Sequence, residues 1–403
     1  MKTPRIALLA GVAAGLVVGS PAWAGAKLKI DDESSIDLGF RVQALTIFTD
    51  KDLDGDGSFD DETDFRVRRA RFRLKGTVNK YMSAFIQTDA GSESGGSGTD
   101  MRIIDSWVNL KYNNWVQGFF GQHMAPSSRM ATTSSGALMT IDRPNNNTKN
   151  LTWGARATNR FATATYADSN DGAISGPNAV RDVGATFFGT GSFSDTMHLK
   201  YYAGVYDGVQ NATDTDDDNL RTTVRAQMNF FDAEPGYFNS STYLGKKKTI
   251  AIGASFEAQD EVQNTFDAAG VVNGAGDYEY YSVDAFVEWP LGPGSLTAEA
   301  AFSDLDLDDA TAAASQSQGD GYYFQAGYYI NQWQPWFEYE EWDGDADSDL
   351  GDYDSFRVGI SYFIKGHNAN IKLGYEKFSP DQNFTGTNED EIETIVLGLY
   401  TTY

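Results

Sequence analysis

The chain has no cysteine, only three histidines, and ten prolines among 403 residues. Without cysteine there is neither a disulfide framework nor a thiolate to act as nucleophile or metal ligand. His123, His198 and His367 stand far apart with no motif around them. No Ser-His-Asp arrangement or metal-ligand spacing can be built from them, so the chain does not read as an enzyme. Phosphate-loop and dinucleotide glycine signatures are missing in any usable context. Positive charge is scarce too: 31 Lys and Arg face 57 Asp and Glu, a net −26, which argues against nucleic acid as a partner. Past the first two dozen residues, no apolar run reaches the roughly 20 residues a membrane-spanning helix needs.

Those first residues read as an export signal. Lys2 and Arg5 give a positive start, Ile6 to Val18 an apolar stretch, and Ala22-Trp23-Ala24 a small-x-small cleavage site. The predicted division is a signal peptide over 1–24 and a single domain over 25–403. Loss of Lys2 and Arg5 with the leader takes the charge to −28.

What the remainder has in quantity is aromatic residues, 13% of the chain, and 41 glycines. Tyr, Phe and Trp favour strands and collect at membrane interfaces. Apolar and polar residues alternate at period two in segments of about ten, the signature of a membrane barrel whose strands show one face to lipid and one to the lumen. Ile36, Leu38, Phe40, Val42 and Ala44 oppose Asp37, Gly39, Arg41 and Gln43. The same holds around Leu199–Val205, Leu220–Phe230, Ile250–Phe256 and Phe356–Tyr362. Helical periodicity is nowhere sustained.

Connectors alternate between short and long. Short ones include 78–80, 113–114, 291–294, 331–332 and 365–368. Long ones run over 49–64, 90–101, 122–150, 168–181, 207–219, 259–277, 304–319, 343–353 and 379–390. Short periplasmic turns with long external loops are expected of an outer-membrane barrel. The predicted fold is all-β, a transmembrane antiparallel up-and-down β-barrel of eighteen strands, or sixteen if the weak segments near 115–121, 160–167 and 295–303 do not all count. Ile395, Leu397, Leu399, Thr401 and Tyr403 share one face of a last strand, which resembles the aromatic signal read by the barrel-assembly machinery.

On the second predicted strand Arg69, Arg71, Arg73 and Lys75 share one face and Ala70, Phe72 and Leu74 the other. A charge facing lipid near the midplane costs about 2–4 kcal/mol, so the basic face must line the lumen. Arg41 on the neighbouring strand extends the patch. Lys111, Arg156, Lys200, Arg221, Arg225, Arg357 and Lys372 also point inward by parity, with Asp37, Asp89, Asp105, Glu299 and Glu376 available to offset them. Two readings follow: guidance of anions by guanidinium groups, or a wall neutralised by acids. The segment 122–150 is expected to fold into the barrel, where Arg129 and Arg143 would help set the constriction; an ordinary external loop is the alternative.

The first external loop, residues 50–62, places Asp52, Asp54, Asp56 and Asp60 at alternating positions around Gly55 and Gly57, a partial match to a calcium loop with Thr63 where Glu belongs. It is expected either to bind Ca2+ or to be merely solvated. Further acidic clusters lie at 214–218, 304–309 and 340–354. Such loops would bridge lipopolysaccharide through divalent cations or keep the surface hydrated. No cofactor is required.

Phe65-Arg66-Val67-Arg68-Arg69-Ala70-Arg71-Phe72-Arg73-Leu74-Lys75-Gly76 resembles the arginine-rich second strand of the phosphate-selective porin O and P family. Asp105-Ser106-Trp107-Val108-Asn109-Leu110-Lys111-Tyr112 is similar to its next motif. Gly118-Phe119-Phe120-Gly121-Gln122-His123-Met124-Ala125-Pro126 is similar to the strand leading into the family's constricting loop. The resemblance implies a Gram-negative outer-membrane porin, a homotrimer, with an anion path lined by arginine and lysine. Near Pro335 the chain departs from the pattern, since Glu338 and Glu340 face the lumen. The expected function is passive diffusion of small hydrophilic solutes with a modest preference for phosphate-like anions. A general or cation-preferring porin, and a cation-binding structural or adhesive surface protein, are the alternatives.

Overall fold

The computed structural model describes residues 25–51, 60–90, 101–144, 181–208, 212, 219–266, 271–307, 318–344, 352–380 and 392–403. The leader, Arg156, Asp52, Asp54, Asp56 and the Asp60 side chain lie outside that set, as do the acidic cluster 214–218 and parts of those at 304–309 and 340–354.

In chain order the first strands are β1 (Ala26–Lys29), β2 (Ser35–Lys51), β3 (Asp60–Asn79), β4 (Met82–Asp89), β5 (Arg102–Lys111) and β6 (Gln117–Met124). A short helix, α1 (Arg129–Thr132), precedes β7 (Arg181–Ser194), β8 (Met197–Tyr206), β9 (Arg221–Phe231), β10 (Thr249–Phe266) and β11 (Val272–Leu291). The chain ends through β12 (Gly294–Leu307), β13 (Gly319–Tyr329), β14 (Trp333–Gly344), β15 (Tyr353–His367), β16 (Ala369–Pro380) and β17 (Ile392–Thr402).

Strands β2 to β17 pair antiparallel with their sequence neighbours, and β17 pairs back onto β2 from Arg41↔Thr402 to Lys51↔Ile392, closing a barrel of sixteen strands. Closure satisfies every strand edge, which lipid cannot do. β1 takes the start of β2 instead, Ala26↔Leu38 to Lys29↔Ser35, and so lies end to end with β17. Of the two expected strand counts, sixteen is the one found. The weak segments near 115–121 and 295–303 are genuine strands, β6 and β12, while that near 160–167 lies outside the described residues.

Alternation holds around the ring. Phe72, Val224, Ile252 and Leu399 are exposed on the outside, while Arg71, Arg225, Ser255 and Tyr400 on the same strands are buried inside. The links at one end are short, 80–81, 112–116, 195–196, 292–293, 330–332 and 368, with one departure from the expected pattern. Between β9 and β10, residues 232–248 form a long connector at this short-turn, periplasmic end.

That connector rises into the barrel and meets the loop after β6, which descends from the opposite end. Thr133 and Asn239 form a parallel bridge. The Ser134 N–H donates to the Asn239 carbonyl (3.1 Å), the Asn239 N–H to the Thr132 carbonyl (3.0 Å), and the Ser241 N–H to the Ala137 carbonyl (3.0 Å). Backbone placed inside a barrel needs such partners. An aromatic stack seats the connector: Phe85 against Trp107 (5.1 Å between centroids), Trp107 against Phe119 (4.0 Å), and Phe119 against Tyr237 (4.6 Å). The Tyr202 hydroxyl donates to the Tyr237 carbonyl at 2.6 Å, and the Tyr237 hydroxyl to the Met124 carbonyl. Across the lumen, Met139 and Ile141 pack on Leu45, Ile47, Trp336, Val396 and Tyr400.

Candidate functional site: the arginine wall

β3 carries arginines at two parities, Arg66 and Arg68, then Arg69, Arg71 and Arg73. Strict alternation would send one set into lipid. A β-bulge resolves the conflict. Gln43 pairs with Arg69 and Ala44 with Val67, so Arg68 is the extra residue. A bulge shifts the facing by one, and all five side chains come to lie inside, each at most 8% exposed. Phe65, Val67 and Phe72 point out. Arg66 and Arg68 were missed by parity counting because it assumes an unbroken strand.

The descending loop presents its tip to this wall. Asp142 accepts from Arg68 Nε (2.7 Å) and Arg69 Nη2 (2.9 Å), so one carboxylate serves two guanidinium groups. Arg71 Nε donates to Asp89 (2.6 Å). Arg41 Nη1 and Arg71 Nη1 both donate to the Ser135 hydroxyl, at 2.6 and 3.0 Å. Arg73 Nη2 reaches the Tyr403 carbonyl at 3.2 Å. Gly136 lets the loop come this close: a Cβ there would stand 2.3 Å from Arg41 Nη2. Below the arginines, Lys75 and Lys111 join Lys80, Tyr81, Asn109 and Gln117 around a cavity of about 310 Å³ at the short-turn end.

The other predicted basic residues face inward but are engaged elsewhere. Arg129, on α1, binds Glu234 of the 232–248 connector and is wholly buried. Arg143 turns back on its own loop, donating to the Thr133 and Met130 carbonyls, so it braces the constriction. Arg221 pairs with Asp182 and Glu257, and Arg225 with Asp284. Lys200 donates to Asn239, and Lys372 to the Leu138 and Thr140 carbonyls, holding the two inserted segments from opposite walls. Arg181, which sequence reasoning passed over, pairs with Asp105. Arg357 lies among Glu338, Glu340 and Glu376.

His123, His198 and His367 are each hydrogen-bonded separately, to Thr186, Ser192 and the Thr242 carbonyl among others. Among the described residues, no group of three His, Asp or Glu side chains is placed to hold a metal ion. What the wall offers chemically is a cluster of fixed positive charge on the inner face of the barrel, of the kind that attracts anions.

Residues 39–229 match the sequence model of the family described as phosphate-selective porin O and P. The chain is an outer-membrane porin. The matched residues include the arginine strand, the two motifs after it and the loop that folds inward. No curated protein sequence matches the porin. Among solved structures, an anion-selective porin from Comamonas acidovorans aligns with a TM-score of 0.57 at 14% identity, over 92% of this chain and 100% of that one. The outer membrane channel DcaP of Acinetobacter baumannii aligns at 0.54 and 14%, over 93% and 99%. OmpT of Vibrio cholerae, in a trimer form, aligns at 0.50 and 12%, over 92% and 100%. At these identities the likeness is one of fold. Family and fold are those of channels and not of enzymes.

Proposed function

We propose that this porin passes small hydrophilic anions, phosphate-like ones preferentially, by passive diffusion along the arginine wall. The observation that carries the reading is the convergence of Arg41 and Arg71 on one neutral oxygen, Ser135 Oγ. Two like charges held on a shared neutral acceptor favour any anionic oxygen that takes its place. Guanidinium forks match phosphate and carboxylate geometry, and hydration removed at the constriction is replaced by fixed charge weak enough to allow exit. Reversal potential in a salt gradient, with phosphate block of the chloride current, tests this in planar bilayers. A cation-selective current without block would refute it.

A general or cation-preferring porin is the second reading, favoured by the acids on the opposite wall. The active unit is proposed to be a homotrimer in the outer membrane, inserted by the barrel-assembly machinery, with loops toward lipopolysaccharide. Calcium in loop 50–62, on Asp52, Asp54, Asp56 and Asp60, rests on their alternating spacing. Isothermal titration with calcium, comparing wild type with Asp54→Asn, tests it.

A further inference from the structure

Charge inside this barrel is uneven, with arginines concentrated on one side and carboxylates on the other. Arg41, Arg66, Arg68, Arg69, Arg71 and Arg73 stand on β2 and β3. Asp284, Glu288, Glu299, Glu338 and Glu340 face inward from β11, β12 and β14. Between the two walls lie the loop 125–144 and the connector 232–248. On the acid side Glu288 and Glu340 are 0% exposed, Glu299 and Glu338 1% and Asp284 4%. The basic side is buried less deeply, its six arginines being 2–8% exposed.

One ion pair locks the two segments. Arg129 donates Nη1 and Nη2 to Glu234 at 2.8 and 2.6 Å, with the side chains 0% and 1% exposed. Glu234 also accepts from Gln227 (2.8 Å) and Asn229 (2.7 Å) on β9, and from the Tyr243 hydroxyl. Beyond the lock, the connector caps the acid wall. The Tyr243 and Gly245 N–H groups donate to Glu288 at 2.6 and 3.0 Å, and Gln325 and Gln334 donate to Ser241 and Thr242.

We infer that the loop 125–144 and the connector 232–248 form a septum, latched by Arg129 and Glu234, that screens the acidic wall and confines solute to the arginine-lined half of the lumen. The inference rests on the channel reading above. Arg129 and Glu234 are positioning residues: they set ion preference by keeping a cation-attracting surface out of contact with the path. A fixed carboxylate bared to the lumen draws cations and repels anions, so the direction of the effect is set by which wall the septum covers.

Planar-bilayer recording of wild type and Glu234→Ala, each checked for a folded barrel by heat-modifiable migration, is the test. Wild type sets the reference, and a wild type without current overturns the channel reading itself. With wild-type current present, Glu234→Ala is expected to show higher conductance and an anion-to-cation permeability ratio lowered roughly fivefold. Unchanged conductance and reversal potential in the folded variant would overturn the septum while leaving the channel standing. A second arm uses the absence of native thiols. Thr133→Cys with Asn239→Cys, placed at the bridge between the segments, is added to Glu234→Gln. Oxidation should restore the wild-type reversal potential and reduction release it; a potential indifferent to oxidation counts against the latch.

Discussion

Arg41 on β2 and Arg71 on β3 hold the same Ser135 hydroxyl, at 2.6 and 3.0 Å, from directly opposed positions of the sheet. Like charges opposite one another destabilise a strand pair. The pair persists because the loop tip supplies a shared acceptor and Asp89 takes the Arg71 Nε. Removing either guanidinium should take away about 1 kcal/mol of anion stabilisation at aqueous dielectric and 4 Å, roughly fivefold in permeability ratio. Arg41→Ala and Arg71→Ala are therefore expected to move the reversal potential toward the cation value. A shift no larger than that of Lys29→Ala, on exposed β1, would remove them from the path.

Asp142 bridges Arg68 and Arg69 with every charge buried. Asp142→Asn leaves two guanidinium groups short of their carboxylate, and breaking a buried ion pair costs about 3–5 kcal/mol. The barrel should melt earlier, and its current should become more anion-selective while the loop tip loosens. Thermal unfolding in detergent and reversal potential are the two readouts. A fall in anion preference would contradict this account of the wall.

Gly136 offers a test of geometry without change of charge. A Cβ at this position collides with the end of the flexible Arg41 side chain, not with backbone. Gly136→Ala is expected to fold normally, displace the Arg41 guanidinium and weaken phosphate block of the chloride current. Block equal to wild type would show that Arg41 need not sit where it does.

Tyr237 stacks on Phe119 and reaches the Met124 carbonyl. Removing a buried aromatic costs about 3–5 kcal/mol. Tyr237→Ala should lower the melting temperature and raise conductance together, whereas Tyr281→Ala, on the outer face, should do neither.

Acid should leave the latch intact over a wide range. Burial alone would raise the Glu234 carboxyl, but the Arg129 guanidinium beside it, with Lys200 and the Tyr243 hydroxyl, reverses this and holds it at about 2. A group lowered on folding contributes stability above its ordinary value of 4.5 and loses it only as pH falls through the folded value. The conductance step of Glu234→Ala over wild type should therefore persist at about pH 4, where an ordinary carboxylate would be largely protonated and the two proteins would converge.

The barrel was legible because lipid enforces alternation residue by residue. Thr222–Phe230 on β9 and Ile395–Thr401 on β17 could face only one way. What escaped was whatever depends on a break in that rule. The Arg68-Arg69 step demands a bulge, which shows in sequence as two basic residues side by side on a strand that tolerates charge on one face only. The connector 232–248 left a trace of its own. Phe119-Phe120, Phe187-Phe188 and Tyr201-Tyr202 are aromatic on both faces. A lumen filled with water has no use for the second of each pair, and Phe119, Phe188 and Tyr202 pack around Tyr237 of the connector. Which segment would cover them could not be read from spacing, because the contacts join residues from 35 to 118 positions apart.

The seam between β2 and β17 has a bearing on biogenesis. Arg41 Nε donates to Thr402 Oγ1 (3.3 Å), Arg73 reaches Tyr403, and Phe40 and Tyr403 exchange both backbone hydrogen bonds at 2.8 Å. These pairings join opposite ends of the sequence, the slowest kind of contact for a folding chain to find. Two arginines of the wall, Arg41 and Arg73, thus rest on the joint that shuts the ring. A half-zipped intermediate would lack these two anchors, so Arg41 and Arg73 take up their final places only as the ring shuts.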